Sequence, residues 1–370
     1  MSIAEHFSQD YPAARRRFLA AAQAAGAALA SYVLPGLRGP QGEELAVDVA
    51  RLGAADADRA LIVISGTHGI EGLCGSGCQA ALLADRLHEA LPASACLLLV
   101  HALNPHGFAW LRRVTEDNVD LNRNFIDFAT LPDSSAYEAL HDLLVPAEWT
   151  GEGRRSADGA LMAAIQKMGM PAFQQAVSGG QYSRPRGLFY GGLAPSWSAR
   201  TLNTVLAQHL SPGLKRLAVL DLHTGLGPAG YGEPIATAFD AGDIERARQW
   251  YGPEVKDLAA GESVSARLRG TMGDGVRAAL PGVELTFVGL EFGIRPIMEV
   301  LAALRGDHWL HVYGTKDAAL RADIRAQMRA AFASDSPAWQ AAVYGRTADL
   351  VYRACRALGE SATSIAVGIG

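Results

Sequence analysis

The sequence predicts a three-layer α/β/α fold, a mixed and mostly parallel central sheet with helices on both faces. Three observations carry this reading. Residues 61–102 run strand, helix, strand: LIVIS, a helical stretch over 72–91, then CLLLVHA, which is the start of a βαβ unit. Two later apolar runs, LKRLAVLDL over 214–222 and VELTFVGL over 283–290, each lead straight into ionisable side chains. Open α/β sheets bind their ligands at such carboxyl ends. Helical patterns over 296–305, 316–331 and 337–358 then close the chain.

Taken in order, residues 11–32 read as an amphipathic first helix. Arg15, Arg16 and Arg17 before an alanine-rich run imitate a twin-arginine signal. Gln23 and Gly26 dilute that run, and polar and acidic residues precede the arginines, so the helix is preferred. Pro35-Gly36 and Gly39-Pro40 mark a loop. Residues 44–51 (ELAVDVAR) alternate as a half-exposed strand does. Residues 134–209 read as helical, broken at Gly151-Glu152-Gly153, Gly179-Gly180 and Gly191-Gly192, and suggest a helical insertion at about 134–210 within one domain spanning 1–370.

Composition narrows the function classes. The chain has 370 residues, 49% of them hydrophobic, enough for a sizeable core. A formal net charge of -5 argues against a nucleic-acid partner, which would call for a basic face. Four cysteines are too few for a disulfide scaffold, and Cys74 and Cys78 within GLCGSGCQAALL read as buried helix residues. No segment has the length of a transmembrane helix. The expectation is a cytoplasmic protein with no membrane or nucleic-acid partner.

Residues 61–72, LIVISGTHGIEG, organise the rest: a short buried strand breaks at Ser65-Gly66-Thr67, and His68 and Glu71 follow at H-x-x-E spacing. An imidazole and a carboxylate there suit a divalent cation such as zinc. Further along come NPHGF (104–108), Arg112-Arg113, DLNRNF (120–125), DLH (221–223) and LEFG (290–293). A G-x-G-x-x-G at 225–230 lacks the helix a dinucleotide site requires: Pro228 interrupts it, and Tyr231-Gly232-Glu233-Pro234 follows. The chain has no G-x-S-x-G, so a serine-hydrolase elbow has no support.

THGIEG, NPHGF, DLNRNF, DLH and LEFG occur in the order of the active-site motifs of the M14 zinc carboxypeptidases. The chain resembles that family, its aspartoacylase and succinylglutamate desuccinylase branch, and most of all the M14-like DUF2817 group. The resemblance implies a zinc carboxypeptidase-like (phosphorylase/hydrolase-like) fold with one zinc held by His68, Glu71 and His223. Two imidazoles and one carboxylate leave a fourth position open, as catalytic zinc sites do. Glu291 matches the general base, and Glu299, expected within the next helix, is the poorer candidate. Asp120 matches the carboxylate that orients a zinc histidine. Asn122 and Arg123 match the clamp on a substrate carboxylate, and Arg113, or else Arg112, the oxyanion donor. His106 and Glu233 are the candidates for any second ion.

The implied function is zinc-dependent hydrolysis of an amide bond beside a free carboxylate, on a short peptide or an N-acyl amino acid. An aspartoacylase-like deacylase is the alternative, and an inactive binding protein of the same fold the rival from another class. One departure stands out. The peptidases' mobile tyrosine has no counterpart in RLRGTMGDGV (267–276), and Tyr231 and Tyr251 are the nearest upstream.

Overall fold

The computed structural model describes residues 2–360, so both ends of the domain expected over 1–370 lie outside the described residues. Eight strands form one sheet in the order β1-β2-β4-β3-β5-β8-β6-β7. They are β1 Ala28–Arg38, β2 Glu44–Gly53, β3 Arg59–Ile64, β4 Ala95–His101, β5 Arg216–Ala229, β6 Glu233–Ala236, β7 Lys256–Asp257 and β8 Glu284–Gly293. The centre, β4-β3-β5-β8, is parallel throughout, while β1, β2 and β6 join antiparallel.

Alternation along the central strands builds the three layers. Leu61, Val63, Leu97, Leu99, Ala218 and Leu220 face the helices Tyr11–Ala24, Gly72–Ala84, Ala241–Tyr251 and Pro337–Gly359. Their neighbours Ile62, Ile64, Leu98, Val100, Leu217 and Val219 face the helices Trp197–His209 and Met272–Ala279. A third apolar cluster joins the helices Gly151–Met168, Met170–Ser178, Ile297–Val312 and Ala318–Phe332. The chain leaves β3 for β4 on one side and returns to β5 on the other. This reversal opens a crevice at the carboxyl ends of β3 and β5, the place where such sheets bind ligands.

Several sequence expectations are corrected. The first helix stops at Ala24 rather than 32: Gly26 turns with φ +75°, and Ala28 opens an edge strand that pairs with β2. Pro35-Gly36 falls in the irregular part of that edge, between Val33 and Arg38, where a missing N–H costs no ladder bond. β2 is buried on both faces rather than half exposed, because the helix Tyr11–Ala24 packs on one face and the helix Trp197–His209 on the other. Its buried acid, Asp48, takes two bonds from Arg15, at 2.7 and 3.1 Å. Arg15 therefore belongs to a structural pair. The 72–91 helix ends at Ala84, and a short turn Leu87–Ala90 follows Arg86 in the left-handed region. β5 and β8 run beyond 222 and 290, so Glu291 sits inside its strand. Glycines 225 and 227 fall in the extended β5, and after Gly230 the chain enters β6 rather than a helix. β6 and β7 went unanticipated, being only 4 and 2 residues long. All four cysteines are buried and free. Among the described residues, no helix is long and apolar enough to cross a membrane.

Candidate metal centre

The loop after β3 is pinned before it delivers any side chain. Gly69 N–H donates to the Arg113 carbonyl (3.0 Å) and Ile70 N–H to the Arg112 carbonyl (2.8 Å). The contact is so close that a Cβ at Gly69 would lie 2.0 Å from the Gly107 carbonyl carbon, which only glycine permits. His68 and Glu71 are thereby fixed beside β5, which supplies His223 from its interior.

Three ligand-type side chains converge there. His68 Nδ1 lies 3.0 Å from Glu71 Oε1, His223 Nδ1 lies 3.0 Å from Glu71 Oε2, and the two Nδ1 atoms are 3.2 Å apart. Tetrahedral zinc with bonds of about 2.0–2.1 Å needs ligand–ligand edges of about 3.3 Å. The two Nδ1 atoms are about that far apart, each lies near an oxygen of the Glu71 carboxylate, all three residues are buried and the donors suit zinc, so the residues fit the ion. Among the described residues they are the one group of this kind. Neither His106, packed beside Trp110 at 6.0 Å, nor Glu233, which accepts the Val264 N–H, joins it.

The outward ring nitrogens are also held. His223 Nε2 lies 2.6 Å from Asp221 Oδ2, and His68 Nε2 lies 3.3 Å from Asp120 Oδ1. Such carboxylates fix the tautomer that leaves Nδ1 free for a metal. Sequence reasoning assigned Asp120 this place but gave Asp221 no role. The signal was present as D-x-H on a strand, because residues i and i+2 project from the same face. Thr67 Oγ1 in turn donates to Asp221 Oδ1 (2.7 Å), and Thr224 N–H donates to Glu71 Oε2 (3.1 Å). Burial raises the Glu71 carboxyl, but the two histidines outweigh it and hold the group far below the usual range. Burial likewise pushes the His223 ring down, yet Asp221 and Glu71 leave it well above its ordinary value.

The two arginines diverge. Arg113 Nε donates to Asp120 Oδ2 (2.9 Å) and Nη1 to Glu71 Oε1 (3.1 Å), and the side chain lines the cavity. Arg112 turns to the helix Ile297–Val312, where Nε donates to Asp307 Oδ2 (3.0 Å). Asp120 is pushed up by burial, but Arg113 and Arg123 hold it far below the usual carboxylate range. Glu291 stands opposite His223 in the β5–β8 ladder and accepts the Leu226 N–H at 2.9 Å. Burial, then the charge on Glu71, pushes its carboxyl up to about 7. Glu299 is exposed on its helix.

Asn122 and Arg123 line the same cavity. Asn122 Oδ1 accepts the Met272 N–H (2.9 Å) and its Nδ2 lies 3.5 Å from His223 Nε2. Arg123 directs Nε and Nη2 at the Ser178 carbonyl (3.1 and 2.6 Å) and Nη1 at the Asn122 carbonyl (2.9 Å). Two of its five N–H groups remain. The cavity measures about 140 Å³, and no tyrosine is among its lining residues. Tyr231 is about half exposed and Tyr251 is fully buried, both away from it.

A family model described as "Protein of unknown function (DUF2817)" matches residues 7–346. No curated protein sequence matches the chain. Among solved structures, bovine thrombin-activatable fibrinolysis inhibitor in complex with tick carboxypeptidase inhibitor is similar at 10% identity and a TM-score of 0.49, covering 96% of this chain and 98% of that one. Carboxypeptidase A of Helicoverpa armigera is similar at 10% identity and a TM-score of 0.43, over 88% and 74%. An aspartoacylase family protein of Mesorhizobium loti follows at 14% and 0.35, over 79% and 68%.

Proposed function

The chain belongs to the DUF2817 family, and on that premise we propose that it is a zinc-dependent hydrolase cleaving an amide bond beside a free carboxylate. The observation that carries the reading is the convergence of His68, Glu71 and His223 at the buried end of a cavity that Glu291 also lines. A zinc ion bound by these three would polarise the scissile carbonyl and acidify water at neutral pH.

The chain's own residues would do the rest. Glu291, with its pKa pushed up to about 7, is matched to taking a proton from the attacking water and returning it to the leaving amine. Arg113 has three N–H groups beyond the two donated to Asp120 and Glu71. One of these would meet the oxygen of the scissile carbonyl as its negative charge develops. Asn122 and Arg123 would hold the substrate carboxylate and so fix which amide lies over the metal. Arg123 can do this only with the N–H groups that Ser178 and Asn122 leave unused.

The test compares free-acid substrates with their amidated forms on zinc-loaded protein. The wild type should prefer the free acids. Arg123→Ala removes a charge-assisted bond worth about 1.5–3 kcal/mol, which corresponds to a KM about 10–150-fold higher on free acids. Equal cleavage of blocked and free substrates by the wild type would replace this reading with an endo-acting amidase.

A further inference from the structure

We propose that the substrate carries a hydrocarbon or aromatic group of several carbons next to the scissile amide. That group would be seated between the helices Met170–Ser178 and Ile297–Val312 and the segment 258–268. The proposal rests on the hydrolase reading and adds the substrate class to it. All the ionisable side chains that line the cavity belong to its metal end: His68, Arg113, Arg123, Asp221, His223 and Glu291. The far walls are built by residues such as Phe173, Val177, Leu258, Leu268, Met298 and Leu301, and no lysine, arginine, aspartate or glutamate lines them.

Three of the polar side chains on those walls are already engaged internally, and the others, such as Thr237 and Ser265, are uncharged hydroxyls. Gln174 Nε2 donates to the Val264 carbonyl (2.7 Å), and Ser178 Oγ donates to the Gln174 carbonyl (2.8 Å). Thr271 Oγ1 donates to Asp274 Oδ2 (2.9 Å). Segment 258–268 is tied to the helix by uncharged bonds alone: besides the Gln174 bond, Gln175 Nε2 donates to the Arg267 carbonyl (2.9 Å) and Arg267 N–H to Gln175 Oε1 (3.0 Å). This wall can be held in place with no charge facing the cavity.

At the opening the same character continues outward. Met170 and Ile297 line the cavity and are each 38% exposed, so an apolar group passing between them would cover apolar surface. A carboxylate on the same path would lose its water and meet no cation beyond Arg113 and Arg123, which is costly for a charge. The geometry therefore disfavours an acidic acyl group or acidic side chain and favours a hydrocarbon. Each buried methylene should raise kcat/KM about fourfold, the factor that burial of a CH2 supplies.

Two series of amides separate the sources of that group. N-acyl glycines from acetyl to octanoyl vary the acyl side, and N-acetyl alanine, leucine and phenylalanine vary the amino-acid side. N-acetylaspartate and N-succinylglutamate are the acidic controls. Zinc-loaded protein should gain about fourfold in kcat/KM per methylene along one series, which identifies the side, and should act at least tenfold less well on the acidic controls. A second readout avoids turnover: in calorimetry on metal-free protein, hexanoate and 3-phenylpropanoate should bind at least tenfold more tightly than succinate. Leu268→Lys, on the partly exposed segment, should abolish that preference while leaving zinc content unchanged. Met298→Lys serves if the first variant does not fold. Flat series, or acidic controls as the best substrates, would overturn the proposal and leave the hydrolase standing. Apolar carboxylates that bind while no amide is cut would uphold the pocket and remove the hydrolase. Equal binding of succinate and hexanoate would also overturn it.

Discussion

Replacing Asp221 by asparagine changes one charge in the shell around the metal site and almost nothing else. Asp221 is fully buried, with Oδ2 at 2.6 Å from His223 Nε2 and Oδ1 accepting from Thr67 Oγ1 at 2.7 Å. An asparagine fits the same space. If its oxygen stays on Thr67, its NH2 meets a ring N–H, donor against donor. If the amide flips, the ring keeps a neutral acceptor and loses the charged one. Removing a carboxylate partner of this kind typically costs about 10–100-fold in metal affinity, or about 1.4–2.8 kcal/mol. Zinc titration against a competing chelator at pH 8 should show that loss, with circular dichroism unchanged. The loss should be smaller at pH 6. There Asp221 also holds a proton on His223, whose pKa it raises, and that proton competes with the metal in the wild type more than in the variant. Zinc affinity within twofold of wild type at pH 8 would refute the argument, since His223 would then not depend on Asp221 for its orientation.

Other outcomes follow from the same geometry. Arg113→Gln should lower kcat by about 10²–10³-fold, as loss of an oxyanion donor does, while Arg112→Gln should lower Tm and leave kcat near wild type; the reverse pattern would exchange their roles. Glu291→Gln should keep zinc and lose about 10²–10⁴-fold in kcat, the usual weight of a general base, and normal turnover would assign the base elsewhere. The same variant has a signature in metal-free protein. A carboxyl raised to about 7 holds its proton more tightly folded than unfolded, so the wild type loses stability as pH rises from about 4.5 through 7. Glu291→Gln should thus gain in Tm relative to wild type between pH 5 and 8, with no gain at pH 4, and a pH-independent difference would contradict this.

What was legible in the sequence was local. A strand that breaks at a glycine turn, or that carries D-x-H, declares itself within a few residues, so it could be anticipated that these strands deliver His68, Glu71, His223 and Glu291, although β5 and β8 run on past His223 and Glu291. Composition misled where tertiary context decided. Alanine-rich residues 28–32 look helical, yet they pair with β2 as an edge strand. The Asp48 that made β2 read as half exposed is buried because Arg15, 33 residues away, neutralises it. The choice between Arg112 and Arg113 needed the partner Asp307, far along the chain. The apolar cavity wall was out of reach, since residues near 173, 268 and 301 come together only through helix packing.

The metal centre is tested most directly by zinc stoichiometry, from elemental analysis of purified wild-type, His68→Ala, Glu71→Ala and His223→Ala proteins after dialysis against a weak chelator. The wild type should hold about one zinc per chain, and each variant should lose most of it while the fold is retained. Full occupancy in the His68→Ala and His223→Ala proteins, or no zinc bound by wild type reconstituted with the metal, would contradict the metal centre.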